Sequence, residues 1–167
     1  MINTYNLFAA PVVHTKMPIS FDIHKKIISF VENNYTEDNL RSIVSGFQFH
    51  EDFDGKEELD NNLNIFLENI LKLKICHSWL NVLGDNSYNK PHYHTGNSTI
   101  SYSGVYYLSP QNNNINFAKD GNVFELRPIL FDLLIFPYDL LHYVLPEKRK
   151  EKRICYSFNL ININEGE

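Results

Sequence analysis

The sequence predicts a mainly β protein with flanking helices, from three observations about where its apolar residues fall. Beyond residue 74 the apolar runs are short and rich in β-branched and aromatic residues, which is typical of strands in sandwiches and barrels. Two earlier segments carry apolar residues at helical spacing instead. Polar turn clusters at residues 84–87 and 111–114 separate the later runs,. We therefore expect two helices packed outside a double-sheet β-roll.

The elements are predicted in order along the chain. Residues 6–13 are expected to form an edge strand, since Pro11 cannot donate to a central ladder,. One helix is predicted after the candidate N-cap Ser20 and a second after Gly55,. Their apolar stripes comprise Ile23, Ile27, Phe30 and Val31, and Leu59, Leu63, Phe66, Leu67 and Ile70. The predicted strands of the roll cover residues 75–83, 98–108, 114–118, 122–126, 129–136 and 153–162.

Length and composition indicate one domain without disulfides. The 167 residues suit a single domain, with residues 1–74 forming the edge strand and supporting helices and residues 75–162 the core,. The formal charge of −5 argues against a partner with a nucleic-acid backbone,. Cys76 and Cys155 lack metal or redox spacing, so we expect buried free thiols. With neither an export signal nor a membrane-spanning run, we expect a cytoplasmic protein away from membranes.

The basic residues between positions 148 and 153 form the densest positive cluster of the chain. Glu147 precedes Lys148, Arg149 and Lys150, and Glu151 separates these three from Lys152 and Arg153. Short mixed charge runs of this kind usually lie in solvated turns. We predict such a turn here and assign it no partner.

A metal site is the chemical feature that the sequence indicates most strongly. His92 and His94 alternate with Tyr93, so on a strand both imidazoles point to the same face,. His142 follows an apolar strand, where it can supply a third ligand from a facing edge. Arg153 begins the last β-like run, and a buried guanidinium there is costly unless it meets an anion. A histidine pair alone is weak evidence, but the combination suggests an oxygenase.

Several segments between residues 75 and 162 resemble the iron(II)- and 2-oxoglutarate-dependent dioxygenases. Among these, the chain is most similar to small oxygenases with an HxH motif that are related to prolyl hydroxylases. The order and spacing of the segments are more specific than any single motif. They are residues 79–81 (WLN), 92–94 (HYH), 103–108 (SGVYYL), 134–137 (LIFP), His142 and residues 153–159 (RICYSFN).

The resemblance implies a double-stranded β-helix (jelly-roll) core and roles for individual residues. His92 matches the first metal-binding histidine of the family and His142 the distal one. Arg153 matches the residue that pairs with the distal carboxylate of 2-oxoglutarate, and Tyr107 a hydroxyl that contacts the same carboxylate. Asn81 is a weaker candidate for this pocket. The implied cofactor is iron(II), with 2-oxoglutarate and O2 as co-substrates, and the implied reaction hydroxylates a substrate while releasing succinate and CO2.

The sequence departs from the family at His94, where most members carry aspartate or glutamate. We expect His94 to be the third ligand, which removes one negative charge and lets zinc or nickel compete for the site. Its alternative role is to hydrogen-bond a ligand from outside the metal's own shell. Asp85 and Asp139 are near in sequence and can offer a carboxylate, although neither occupies the matching position.

Three other functions stay open from the sequence. A three-histidine zinc hydratase or hydrolase suits the same imidazoles, as does a cupin-type dioxygenase, but both leave Arg153 and Tyr107 without a role. A non-catalytic binding module on an oxygenase scaffold is the third. The substrate, a small molecule or a peptide, is not specified, nor are the oligomeric state and a lid formed by residues 84–97. Trp79 is expected in the core, with His77 as a minor candidate for a substrate contact.

Overall fold

The fold follows from a computed structural model that describes residues 2–7, 10–40, 42–94, 99–110 and 113–163. The predicted class is confirmed, because this part of the chain is mainly antiparallel sheet with two helices. The helices are α1 (Phe21–Asn34) and α2 (Lys56–Phe66), which continues into a π-helical turn (Leu67–Leu71). The strands are β1 (Ile2–Leu7), β2 (Ala10–Lys16), β3 (Asp38–Leu40), β4 (Ile43–Phe49), β5 (Leu73–His92), β6 (Ile100–Tyr107), β7 (Ile115–Lys119), β8 (Asn122–Leu126), β9 (Asp132–Pro137), β10 (Leu141–Val144) and β11 (Arg153–Asn162).

Both helices pack on the outer face of the sheet, as their apolar spacing predicts. Ser20 caps α1, its hydroxyl accepting a hydrogen bond from the Ile23 amide at 3.3 Å. The buried residues of α1 and α2 share one apolar cluster with residues of β5, β6 and β11. Ile70 leaves the predicted stripe and is exposed. It lies in the π-helical turn, whose wider winding shifts the angular position of side chains relative to an α-helix,.

The strands form one curled antiparallel sheet in the order β1-β2-β9-β6-β11-β5-β10-β7-β8, with β4 beside β5 and β3 beside β4. The twenty residues of β5 connect its two halves. β5 pairs first with β11, over Leu73–Leu83, and then with β10, at Asn89 and His92. A second apolar cluster fills the space between the halves, with residues from β6 and β9 packed against β7 and β8. Packing through this cluster joins the two halves of the roll.

Strand boundaries differ from the prediction at two places. Residues 84–87, predicted as a turn between strands, instead form a bend inside β5, with Asn86 at a φ of 55°. The predicted edge strand over residues 6–13 is a hairpin of β1 and β2, and β2 also pairs with β9. Pro11 is tolerated because the pairing with β9 begins only at Val13,. Strands β3, β4 and β10 were not predicted.

The basic segment is solvated at Lys148 and Lys150, as predicted, but Arg149 between them is only 8% exposed. Its Nη1 donates to the carbonyls of Gly84 (3.0 Å) and Ser87 (2.7 Å), and its backbone amide donates to Asp85 Oδ1 (2.9 Å). These bonds hold the bend of β5, where the strand's own ladder is interrupted. They also fix the first part of the segment 84–97, whose role as a lid the sequence leaves open and whose residues 95–97 lie outside the described residues.

Two smaller expectations concern the cysteines and membranes. Both thiols are free, but only Cys155 is buried, whereas Cys76 is exposed, so its predicted burial is wrong. The side chain of Cys76 lies beside the Asn159 carbonyl at 3.4 Å. Among the described residues, no helix is both long enough and apolar enough to cross a membrane.

Candidate metal centre

Three imidazoles meet where the end of β5 faces β10. His92 is the last residue of β5 and pairs directly with His142 in β10. His94 lies two residues beyond the strand, and the Tyr138 carbonyl accepts its backbone N–H at 2.9 Å. One ligand atom from each ring lies within 4.8 Å of the others. At that separation a single ion can bond to all three after small side-chain shifts.

Each imidazole is oriented by an acceptor at its Nδ1 atom. Nδ1 of His92 lies 2.7 Å from the Lys90 carbonyl, and Nδ1 of His142 lies 2.9 Å from the Leu140 carbonyl. Nδ1 of His94 lies 2.6 Å from Asn159 Oδ1, beside the Ser103 hydroxyl at 2.7 Å. Because a carbonyl oxygen only accepts, each Nδ1 carries the proton and each Nε2 keeps its lone pair. This is how proteins prepare histidines as metal ligands, so the three residues fit a divalent metal.

Burial also keeps the three rings neutral. It lowers the pKa of His92 and of His94, although the hydrogen bonds to Lys90 and Asn159 partly oppose the effect. The pKa of His142 lies well below its usual value because of burial, reinforced by repulsion from the other two imidazoles. Neutral imidazole is the form that binds a metal.

No carboxylate joins this cluster among the described residues, in which the three histidines are its only metal-binding groups. Asp85 accepts from the Arg149 amide and from Asn86, on the far side of the bend in β5. Asp139 is exposed and is not part of the cluster. His94 therefore has no acidic substitute nearby in the described structure, and its role as the third ligand stays a proposal.

The predicted co-substrate residues line the same cavity as the histidines. Arg153 (4% exposed) and Tyr107 (fully buried) lie on the inner faces of β11 and β6, where Cys155 pairs with Tyr107 in register. Nη2 of Arg153 lies 3.4 Å from the Tyr107 hydroxyl, and Nη1 donates to the backbone and side-chain oxygens of Asn113 at 3.1 and 3.0 Å. No ion pair among the described residues involves Arg153. Burying a guanidinium without an ion pair is costly, and Arg153 lies in the cavity that the histidines line.

Asn81 lines the cavity beside these groups. Its side chain accepts from Gln48 Nε2 at 2.8 Å and donates to the Ser157 hydroxyl at 2.6 Å. Within the described residues, neither of these hydrogen bonds joins Asn81 to the imidazoles or to Arg153. The cavity measures about 50 Å³, room for about three to five waters at roughly 10–15 Å³ each.

Sequence reasoning missed four residues that support the site. Asn159 and Ser103 orient His94, Asn113 holds Arg153, and Gln48 holds Asn81. Asn159 and Ser103 face each other across the β6–β11 pairing. Strand alternation puts each on the same face as its neighbours in the pocket, which was the one available signal. His94 lies beyond the end of β5, so no spacing in the local sequence predicts its contact with Asn159 and Ser103.

The remaining histidines lie outside the cluster. His14 contacts Asp132 at 2.9 Å, and His24 contacts the Leu108 carbonyl at 2.7 Å. His50 and His77 face each other, with Nδ1 of His50 3.4 Å from Nε2 of His77. Trp79 packs against both rings and against His94. It is buried as predicted, but it lies at the wall of the site rather than only in the apolar core.

Comparison with known proteins bears on the fold. No family model matches the sequence, and no curated protein matches it. Among solved structures, a prolyl-4-hydroxylase from Pseudomonas putida shares 12% identity with a TM-score of 0.67, covering 94% of this chain and 95% of that one. A Trichoplax adhaerens prolyl hydroxylase, solved with a fragment of the hypoxia inducible factor oxygen degradation domain, shares 14% identity with a TM-score of 0.67, covering 92% and 84%.

A third similar structure is HygX from Streptomyces hygroscopicus with nickel, 2-oxoglutarate and hygromycin B bound. It shares 11% identity with a TM-score of 0.63, covering 90% of this chain and 82% of that one. At these identities the likeness is one of fold. The chain thus has the double-stranded β-helix fold found in prolyl hydroxylases and other 2-oxoglutarate–iron(II) oxygenases, as the sequence motifs indicated.

Proposed function

We propose that this protein is a single-domain non-haem oxygenase that uses iron(II), 2-oxoglutarate and O2 to hydroxylate a substrate, releasing succinate and CO2. One observation carries the proposal: three neutral imidazoles and a buried guanidinium without an anionic partner line the same cavity. A bound metal would account for the three imidazoles. An anionic co-substrate would account for the guanidinium that faces the same cavity.

The residues proposed as iron ligands are His92, His94 and His142. Their Nδ1 acceptors hold the rings in place before the metal arrives, so little ordering remains to be done on binding,. When bound, iron supplies the oxygen activation that amino-acid side chains cannot. With three neutral ligands the site carries one negative charge fewer than a site with two histidines and a carboxylate.

Arg153 and Tyr107 are proposed to hold the far carboxylate of 2-oxoglutarate. Burial raises the pKa of the Tyr107 hydroxyl, which therefore stays protonated. The protonated hydroxyl can donate a hydrogen bond to a carboxylate. The guanidinium offers a planar pair of donors to the same group. The small cavity suits a compact acid, and Asn81 is proposed to complete its wall.

Two similar structures lend support to the proposed chemistry. HygX was solved with nickel and 2-oxoglutarate, and the Trichoplax adhaerens enzyme was solved with a peptide fragment. A small molecule or a peptide is accordingly the proposed kind of substrate here. The proposal places the protein with enzymes rather than with binding modules, because a binding module needs no anion pocket beside three metal-binding rings.

A zinc hydratase or hydrolase is the second candidate, and the third imidazole is the observation that favours it. Zinc in catalytic sites commonly takes three protein ligands and one water. This function, like that of a cupin-type dioxygenase, uses neither Arg153 nor Tyr107. Binding of 2-oxoglutarate is therefore the property that separates the candidates.

An anaerobic titration with iron(II) followed by 2-oxoglutarate tests the proposed function. We expect one iron per chain, then a weak visible absorption band as the co-substrate binds, and succinate once oxygen is admitted. Calorimetry on the zinc-loaded protein measures 2-oxoglutarate binding without turnover. One zinc per chain with no affinity for 2-oxoglutarate would refute the oxygenase and favour the zinc enzyme.

A further inference from the structure

A second cavity lies directly outside the metal centre, and we call it the vestibule. It measures about 490 Å³, within the size range of small-molecule sites. Ser42, Gln48, Trp79, His92 and His94 line both spaces, so the vestibule opens onto the metal-binding rings. It is lined further by His50, His77, Lys90, Pro91, Tyr93 and Asn159. A substrate approaching the metal from solvent meets these residues first.

Three rings cluster on one wall of the vestibule. Ring centroids of His50 lie 5.6 Å from those of His77 and Trp79, at interplanar angles of 18° and 19°. His77 and Trp79 are 5.3 Å apart at 33°. In a column of three parallel rings the outer two would be twice as far apart as neighbours. Because the three separations are nearly equal, the centroids form a triangle rather than a column, and we call this cluster the ring platform.

Two neighbouring strands, β5 and β4, supply the rings of the platform. His77 and Trp79 alternate along β5, where they pair with Asn159 and Ser157 of β11. His50 follows β4 and reaches the His77 ring, with Nδ1 3.4 Å from Nε2. Trp79 is buried while both histidines are exposed, so the platform runs from solvent inward. Its inner end lies 5.6 Å from the His94 ring, measured between centroids.

The charge of the vestibule points to a ligand that is not a cation. Among the described lining residues none is acidic, while Lys90 brings an ammonium group. Asn159 uses Oδ1 to accept from His94, so its amide N–H groups remain as donors. A cation would meet Lys90 without any carboxylate to balance it. Carboxylate or carbonyl oxygens on the ligand would meet donors instead.

We propose that the vestibule binds a substrate through a flat aromatic or heteroaromatic ring bearing carboxylate or carbonyl oxygens, stacked on His50, His77 and Trp79. This inference rests on the proposed function, because the proposed oxygenase reaction would act on the bound substrate. It names the substrate class of that same site. A ring seated on the platform lies beside His94, so a group projecting from its inner edge reaches the metal centre. Flat rings gain contact area and face-to-face attraction on such a surface, whereas puckered rings lose both.

The chain offers a direct reporter, because Trp79 is its only tryptophan. Fluorescence titrations of the metal-free protein compare three probes: benzoate, which is flat and anionic; cyclohexanecarboxylate, which is anionic but puckered; and benzylamine, which is flat but cationic. We expect a saturable change with benzoate at an affinity at least about threefold tighter than with either of the others, the size of an aromatic contact. Equal affinity for benzoate and cyclohexanecarboxylate in the wild-type protein would overturn the proposal.

Substitutions then locate the binding. His50→Ala and His77→Ala should each weaken benzoate binding about two- to tenfold, and Lys74→Ala, an exposed change on the same strand, should not. Circular dichroism checks that each variant folds. Unchanged benzoate affinity in both histidine variants would refute the platform. The measurement needs neither metal nor 2-oxoglutarate, so the ring platform can hold while the oxygenase proposal fails, and the reverse.

Discussion

Two groups of histidines both pack against Trp79, and they differ in what orients them. In the inner group, His92, His94 and His142 each direct Nδ1 to a separate oxygen acceptor. In the outer group, His50 and His77 use ring nitrogens on each other. His142 is buried and His92 and His94 are half-buried, whereas the outer pair is exposed.

The difference shows that proximity alone does not make a metal site. An acceptor at Nδ1 sets the tautomer and the direction of the Nε2 lone pair, so three rings present lone pairs to one point. In the outer pair, each ring instead presents one nitrogen to the other ring. The outer pair therefore suits contact with a ligand's ring, and the inner group suits a metal.

The largest expected effect is a loss of metal affinity on substitution of a residue of the inner group. His142→Ala removes a proposed ligand, so we expect metal affinity to fall at least roughly 10³-fold, beyond the roughly 10–100-fold that changes around a ligand cost. His77→Ala, the matched change in the outer pair, should leave metal affinity within about twofold. Competition titration with a chromogenic chelator measures both. Comparable losses in the two variants would erase the distinction between the groups.

The second prediction concerns the anion pocket behind the inner group. Removing one partner of a buried charged contact costs roughly 3–5 kcal/mol, so Arg153→Ala should weaken 2-oxoglutarate binding by about 10²–10³-fold. Arg153→Lys keeps the charge without the planar fork and should fall between. Lys150→Ala, an exposed neighbour, is the control. Calorimetry on the zinc-loaded protein should also show metal affinity unchanged, and retained 2-oxoglutarate affinity in Arg153→Ala would mean that another residue holds the co-substrate.

The third prediction tests whether the Nδ1 acceptors matter as claimed. Asn159→Leu removes the carbonyl oxygen 2.6 Å from His94 Nδ1 while keeping the size of the side chain. Metal affinity should fall about 10–100-fold, the usual cost of losing an outer hydrogen bond to a ligand. Ser103 can replace part of the lost bond, so the double variant with Ser103→Ala should lose more than Asn159→Leu alone. If neither variant changes metal affinity, His94 is not oriented by these residues or is not a ligand.

The smallest effect is a pH dependence of the metal-free protein. Burial lowers the pKa of His92, His94 and His142 in the folded state. Below about pH 6.5 the unfolded chain takes up protons that the folded protein refuses, so stability falls as pH falls. Each histidine contributes a slope of up to about 1.4 kcal/mol per pH unit between its two pKa values. Urea unfolding from pH 7.5 to 5 should show this slope, and His142→Gln should reduce it; an identical slope in that variant would contradict the assignment.

Fold class was predicted correctly from local patterns, and the same patterns supplied the candidate site residues. Short β-branched and aromatic runs predicted the strands, and Ser20 with its following apolar stripe predicted α1. The spacing of His92 and His94 likewise placed both rings on one side of a chain segment. These features depend on residues within about one helical turn or a few strand positions, so periodicity records them.

Other features depend on residues that are distant in sequence and adjacent only in the fold. Arg149, in a run that looks like a solvated turn, is buried because the carbonyls of Gly84 and Ser87 lie beside it. Residues 84–87 form a bend rather than a break because β4 continues to pair with β5 on both sides of it. Local composition cannot show either, since both acceptors and partner strands come from elsewhere in the chain.

The sequence by itself determined the residue types available for chemistry, three imidazoles and an arginine on β-like segments, and the alternation that gives strands an inner face. Only the tertiary structure decided which residues hydrogen-bond to these side chains. Asn159 reaches His94 across 65 positions, and His50 reaches His77 across 27. The physical reason is that strand periodicity is set by each residue's own backbone, whereas a hydrogen-bond partner is set by the order in which strands pair.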